Sequence, residues 1–100
     1  MSDSLDARAA CALAIEQVLR GRNLDSALRG VSPRLPEKER ALTAELCYGV
    51  CRWYHQLDAL LQRLLRKPLK SSQRLIHALM LCGLYQLQHT RIPRHAAVSE

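Results

Sequence analysis

Three side chains that favour soft metals fall four residues apart: Cys47, Cys51 and His55. Residues at that spacing share a helix face, so two thiolates and an imidazole there could reach one ion. A structural zinc site needs a fourth ligand, and no Cys-x-x-Cys pair supplies one. Cys11 and Cys82 lie in separate apolar stripes with no partner near them in sequence. The four cysteines are therefore expected to be small buried hydrophobes, neither metal ligands nor disulfide partners. Nucleophilic catalysis finds no better support. Ser71 and Ser72 fall where a helix cap is expected, no Gly-x-Ser-x-Gly occurs, and the histidines have no evident carboxylate partner in sequence. His77 reads as a packed or surface histidine rather than a base. No catalytic, cofactor or metal residue is expected in the chain.

The stronger chemical signal is charge. The 100 residues carry 15 Lys and Arg against 9 Asp and Glu, a net charge of +6. That balance excludes an acidic tail or a carboxylate-rich metal buffer, and it favours an anionic partner. From Met1 to Asp58 the basic and acidic residues cancel, eight against eight. From Ala59 onward Arg63, Arg66, Lys67, Lys70, Arg74, Arg91 and Arg94 face one acid, Glu100. The first five of these cluster around Pro68. Twelve of the 15 basic residues are Arg, whose planar fork matches phosphate and base edges. The cluster points to RNA or DNA contact; the bland alternative is a solvated basic face with no ligand. Leu13, Tyr54 and Tyr85 fall off the main apolar stripes, and either stack on bases or complete the core.

The elements that must position these residues are helices. Gly and Pro number only four each, and Leu, Ala and Arg dominate. Asp3 or Ser4 is expected to cap a first helix ending near Arg20, with Asp6 close to its positive end and Gly21 as a left-handed stop. Asn23 caps a short second helix from Leu24 to Arg29, closed by Gly30. The segment 32–36 is a connector, with Pro36 in the first turn of the third helix. From Pro36 to Lys67 only Gly49 interrupts the helical pattern, and a straight helix of about 30 residues would be roughly 45 Å long at 1.5 Å per residue. That is too long for a small domain, so a break is expected between Cys51 and Gln56, with Asp58 in the first turn after it. After Pro68, Ser71 or Ser72 opens a helix running to about His89. It is apolar nearly all round and hence expected to be central, with Gly83 at a close helix crossing. Arg94–Glu100 begins a further helix whose apolar face has no sequel, so 1–100 is expected to be the front of a longer protein. With no strand expected, no Gly-rich loop after a strand can hold a nucleotide or S-adenosylmethionine. No apolar run approaches the roughly 18 residues of a membrane span, and the acidic N-terminus lacks signal-peptide character. A cytoplasmic location with reduced thiols is expected.

Three stretches resemble a known family. Glu45-Leu46-Cys47-Tyr48-Gly49-Val50-Cys51-Arg52 is similar to the Glu-Leu-x-Tyr-Gly-Val-x-Arg segment of NusB-like domains, and Leu57-Asp58-Ala59-Leu60-Leu61 to the segment next to it in that family. Gly83-Leu84-Tyr85-Gln86-Leu87, with the run from Arg91 through Pro93, His95 and Val98 to Glu100, resembles the N-terminal domain of the RsmB (Fmu/Sun) ribosomal RNA 5-methylcytosine methyltransferases more than free-standing NusB. The resemblance implies an all-α, NusB-like helical bundle, here about five helices plus the start of a sixth. It also implies RNA binding, with small-subunit ribosomal RNA and the protein's own C-terminal catalytic domain as partners and no membrane. That catalytic domain, which in the family uses S-adenosylmethionine and a cysteine thiolate that attacks cytosine before methyl transfer to C5, lies outside this chain. Cys11, Cys47, Cys51 and Cys82 match none of the family's catalytic motifs. Two rival readings are a NusB-type antitermination factor and a protein–protein module. Free-standing NusB proteins open their first helix with several arginines, whereas Asp6-Ala7-Arg8-Ala9-Ala10 keeps only Arg8, which disfavours antitermination.

Overall fold

The computed structural model describes residues 5–90. The expected start of a sixth helix, and the capping residues Asp3 and Ser4, lie outside them. Within them the chain forms five α-helices: α1 (Ala7–Leu19), α2 (Leu24–Val31), α3 (Glu37–Arg52), α4 (Tyr54–Leu64) and α5 (Arg74–Tyr85). A wide π-helical turn over Gln86–Thr90 succeeds α5. The fold is all-α, as expected.

Caps set most of the boundaries. Asp6 itself caps α1, accepting from the Ala9 N–H at 2.8 Å, and Glu39 of α3 takes the Ala7 N–H at 3.2 Å. Two donors that the first turn leaves open are thereby met by carboxylates, which also suit the positive end of the helix dipole. Gly21 stops α1 in the left-handed region, at φ +108°. Asn23 caps α2 through the Ser26 N–H at 2.8 Å. Gly30 does not close α2, because it keeps helical backbone. The helix runs on to Val31 and tightens into a 3-10 turn, Ser32–Arg34, around Pro33. Pro36 stands just before α3 rather than inside it.

The long stripe breaks inside the expected window. At Trp53 the backbone leaves helical values, with φ −103° and ψ 18°, and α4 restarts at Tyr54. Asp58 consequently lies a turn deeper in α4 than expected.

The centre of the bundle is α1, not α5. Ala7, Ala10, Cys11, Ala12, Ala14 and Ile15 are all buried, and α2, α3 and α5 lie against this helix. Small side chains let three neighbours approach one axis, so the alanine-rich helix takes the middle. By contrast α5 buries only Ala78, Leu81, Cys82 and Tyr85. Leu75, Ile76, Leu79 and Met80 on its other face are exposed. The close crossing also moves. A Cβ placed on Gly83 meets nothing within 4 Å, whereas one on Gly49 would run into the Tyr85 ring. Here α3 and α5 are in contact because residue 49 has no side chain.

Candidate nucleic-acid interface

The basic cluster occupies one helix–loop–helix. Arg63 lies in the last turn of α4, which ends at Leu64 rather than reaching the neighbourhood of Lys67. Leu65, half-buried against the core, anchors the loop between α4 and α5. Lys70 and Gln73 close the loop reciprocally: the Lys70 N–H donates to Gln73 Oε1 at 2.9 Å, and the Gln73 N–H to the Lys70 carbonyl at 2.8 Å. Arg74 then opens α5. Arg63, Arg66, Lys67 and Lys70 are exposed and Arg74 partly so. Ion pairs among the described residues join Arg20 to Glu16 and His77 to Asp58, and involve none of these five. No carboxylate side chain falls between Ala59 and Thr90. The arrangement is a surface of exposed cations on a hydrogen-bonded turn, suited to phosphate oxygens. Arg91 and Arg94 lie outside the described residues.

The three candidate stacking residues belong to the core. Tyr85 is 9% exposed and its ring covers Gly49. Leu13 and Tyr54 pack half-buried against the same cluster. The Tyr54 ring meets His55 edge-on, with centroids 5.5 Å apart.

The cysteines also meet in a way their spacing did not suggest. Cys11 and Cys82, which lie 71 positions apart in sequence, bring their Sγ atoms to 2.9 Å across α1 and α5. Hydrogen bonding to Cys47 and Cys82, then burial, pushes the Cys11 thiol well above its ordinary range. Burial, with Cys47 and Cys82 nearby, raises the half-buried Cys51. Protonated thiols buried in a core are poor nucleophiles and poor ligands. His55, the third member of the spacing that suggested a metal, lies beyond the Trp53 break and is exposed. Among the described residues no group of three His, Cys, Asp or Glu is placed to hold a metal ion.

Two features escaped the sequence reading. His77 does have a carboxylate partner: its Nε2 lies 2.7 Å from Asp58 Oδ1, tying α5 to α4 just below the basic loop. Gln62 donates to the same oxygen at 3.3 Å. The second feature is Tyr48, 52% exposed on α3 with Arg52 one turn on. Its sequence signals were an aromatic residue on the polar side of an amphipathic helix and its place, with Arg52, in the stretch that resembles the NusB-like segment. No described helix is long and apolar enough to cross a membrane.

Against known proteins, the model of the NusB family matches residues 5–100. The chain is 44% identical to proteins named ribosomal RNA small subunit methyltransferase B from Cronobacter sakazakii and Proteus mirabilis, and 43% identical to that of Escherichia coli. Each of these alignments covers all of this chain and 24% of the relative, so the chain spans about a quarter of their length. No solved structure matches it.

Proposed function

The chain belongs to the NusB family, and on that premise we propose that it is the RNA-binding domain at the front of a cytoplasmic, S-adenosylmethionine-dependent methyltransferase acting on cytosine C5 of small-subunit ribosomal RNA. The observation that carries this reading is the α4–α5 turn: Arg63, Arg66, Lys67, Lys70 and Arg74 on one helix–loop–helix, with no acid between Ala59 and Thr90. The names of the relatives supply small-subunit ribosomal RNA and methyl transfer; cytosine C5 and S-adenosylmethionine follow from the resemblance to the 5-methylcytosine methyltransferases.

The described residues do not fit S-adenosylmethionine. They form helices and turns only, with no strand leading into a glycine-rich turn. Nor do Cys11 and Cys51 suit attack on a base, since burial and neighbouring thiols hold both protonated. No step of methyl transfer is therefore assigned to them. Their contribution is binding. Contacts to phosphate fix register and orientation without reading sequence. Tethering RNA this way raises its effective concentration at an attached catalytic domain. Arg91 and Arg94, outside the described residues, are proposed as further RNA contacts on their charge alone. The start of α1 carries a single exposed arginine, Arg8, and gives an antitermination role no support.

The test replaces Arg66, Lys67 and Lys70 by Glu in the whole chain. Affinity for a small-subunit ribosomal RNA hairpin, read by fluorescence anisotropy, should fall about tenfold or more. The control Arg20→Glu/Arg22→Glu should bind nearly as wild type. Unchanged affinity in the loop variant contradicts the assignment.

A further inference from the structure

Packing accounts for only part of the segment Glu45–Trp53. Leu46, Cys47 and Val50 enter the core, and Gly49 makes room for Tyr85. Tyr48 and Arg52, four residues apart and so on one helix face, are left pointing outward. The Tyr48 hydroxyl donates to Asp25 Oδ1 of α2 at 2.6 Å, which pins the ring in place and occupies its polar end. What it offers solvent is an aromatic face. Arg52 makes no ion pair among the described residues. An open groove of about 430 Å³ lies between them, lined by Tyr48, Cys51 and Arg52.

From this geometry we infer that Tyr48 and Arg52 form a docking site for an unpaired nucleobase of the bound RNA, the base stacking on the Tyr48 ring and a neighbouring phosphate meeting the Arg52 guanidinium. The inference rests on the RNA-binding reading above and adds a second point of contact of a different kind. The α4–α5 loop carries cations and no aromatic residue, so it suits backbone; Tyr48 carries an aromatic face, so it suits a base that has left its helix. The surroundings favour a nucleobase over a protein partner. The centre of a protein interface is depleted of acidic residues, whereas Tyr48 shares its face of α3 with the exposed Glu45 and is hydrogen-bonded to Asp25. Asp25 also keeps the phenol protonated, first through the hydrogen bond and then through its charge.

The test uses two RNAs with the whole chain: a single-stranded oligouridine carrying one 5-iodouridine, and a fully paired hairpin closed by a tight loop. Irradiation should crosslink the iodouridine to Tyr48, read by mass spectrometry of the tryptic peptides. Tyr48→Ala should weaken single-strand binding about tenfold and leave the paired hairpin unaffected. Tyr48→Phe, which keeps the ring and loses the bond to Asp25, should retain most of the affinity. Arg52→Gln should cost severalfold for the single strand. Circular dichroism checks that each variant is folded. Crosslinks confined to other residues, or a Tyr48→Ala variant that binds oligouridine as wild type does, would overturn the inference. Loss of another protein's binding by that variant, with RNA affinity intact, would assign the face to a protein and overturn it equally. If the hairpin still depends on Arg66, Lys67 and Lys70 in those cases, the domain reading stands and only the base site fails.

Discussion

Gly49 offers the sharpest test of how the bundle is held together. A Cβ at this position would overlap the Tyr85 ring at Cζ, Oη and Cε2. Tyr85 is 9% exposed and seated in the core, so the ring has little room to swing aside. Overfilling a packed site costs about 1–3 kcal/mol. Replacing Gly by Ala inside a helix returns up to about 1 kcal/mol. With the full helix gain, Gly49→Ala should lose up to about 2 kcal/mol net, and about 4–8 °C in Tm for each kcal/mol in a domain of this size. Gly83→Ala is the matched control, because a Cβ there meets nothing within 4 Å; it should stabilise by about 0.5–1 kcal/mol. Urea denaturation measures both. The mechanism is isolated by repeating Gly49→Ala in a Tyr85→Leu background, where the obstructing ring atoms are gone. There the substitution should cost nothing or gain stability, a coupling of about 1 kcal/mol or more. Equal losses from Gly49→Ala in both backgrounds, or stabilisation by Gly49→Ala matching that from Gly83→Ala, would refute the reasoning.

The core and the hairpin each carry a further expected outcome. Cys11 is held protonated by Cys47, Cys82 and burial, and Cys51 chiefly by burial, whereas thiols of the unfolded chain ionise near the ordinary 9.0. The folded state then binds more protons than the unfolded one, so stability is full below that pH and falls as pH rises through it. Urea midpoints under reducing conditions at pH 7 and pH 10 should show the decline, and a flat profile would contradict it. The Asp58–His77 contact, at 2.7 Å with side chains 25% and 18% exposed, should make Asp58→Ala cost about 0.5–1.5 kcal/mol. In a double-mutant cycle with His77→Ala the two losses should fall short of additivity; strict additivity would show the contact to be energetically silent.

What was legible in the sequence was periodic or local. Helices, the Asn23 cap and the Gly21 stop are set by residue types within a turn or two of each other, and the break near Trp53 follows from a stripe too long for one helix in a small domain. The address of the basic cluster came from counting charges along the chain. What was not legible depended on pairs distant in sequence. Cys11 and Cys82 lie in different stripes, and only the packing of α1 against α5 brings them together. Asp58 and His77 are 19 residues apart with a loop between them. Gly83 sits in the more apolar helix and looked like the crossing, yet Gly49 is the glycine that faces a ring. The centre of the bundle was misplaced for a related reason. A leucine-rich helix scores as more apolar than an alanine-rich one, but small side chains decide which helix can have neighbours on several sides. Tyr48 falls inside the family-like stretch, but its side chain breaks the apolar stripe, and that departure leaves its ring in solvent.

The central claim is that the α4–α5 turn holds RNA through its phosphates, and the dependence of binding on salt measures that most directly. Log affinity for a small-subunit ribosomal RNA hairpin should fall linearly with log salt concentration, with a slope of roughly −0.9 for each phosphate contacted. Neutralising Arg66, Lys67 and Lys70 to Gln should make that slope shallower by about 2–3 while the chain keeps its helical content. An identical slope in the wild type and the triple variant would contradict the account.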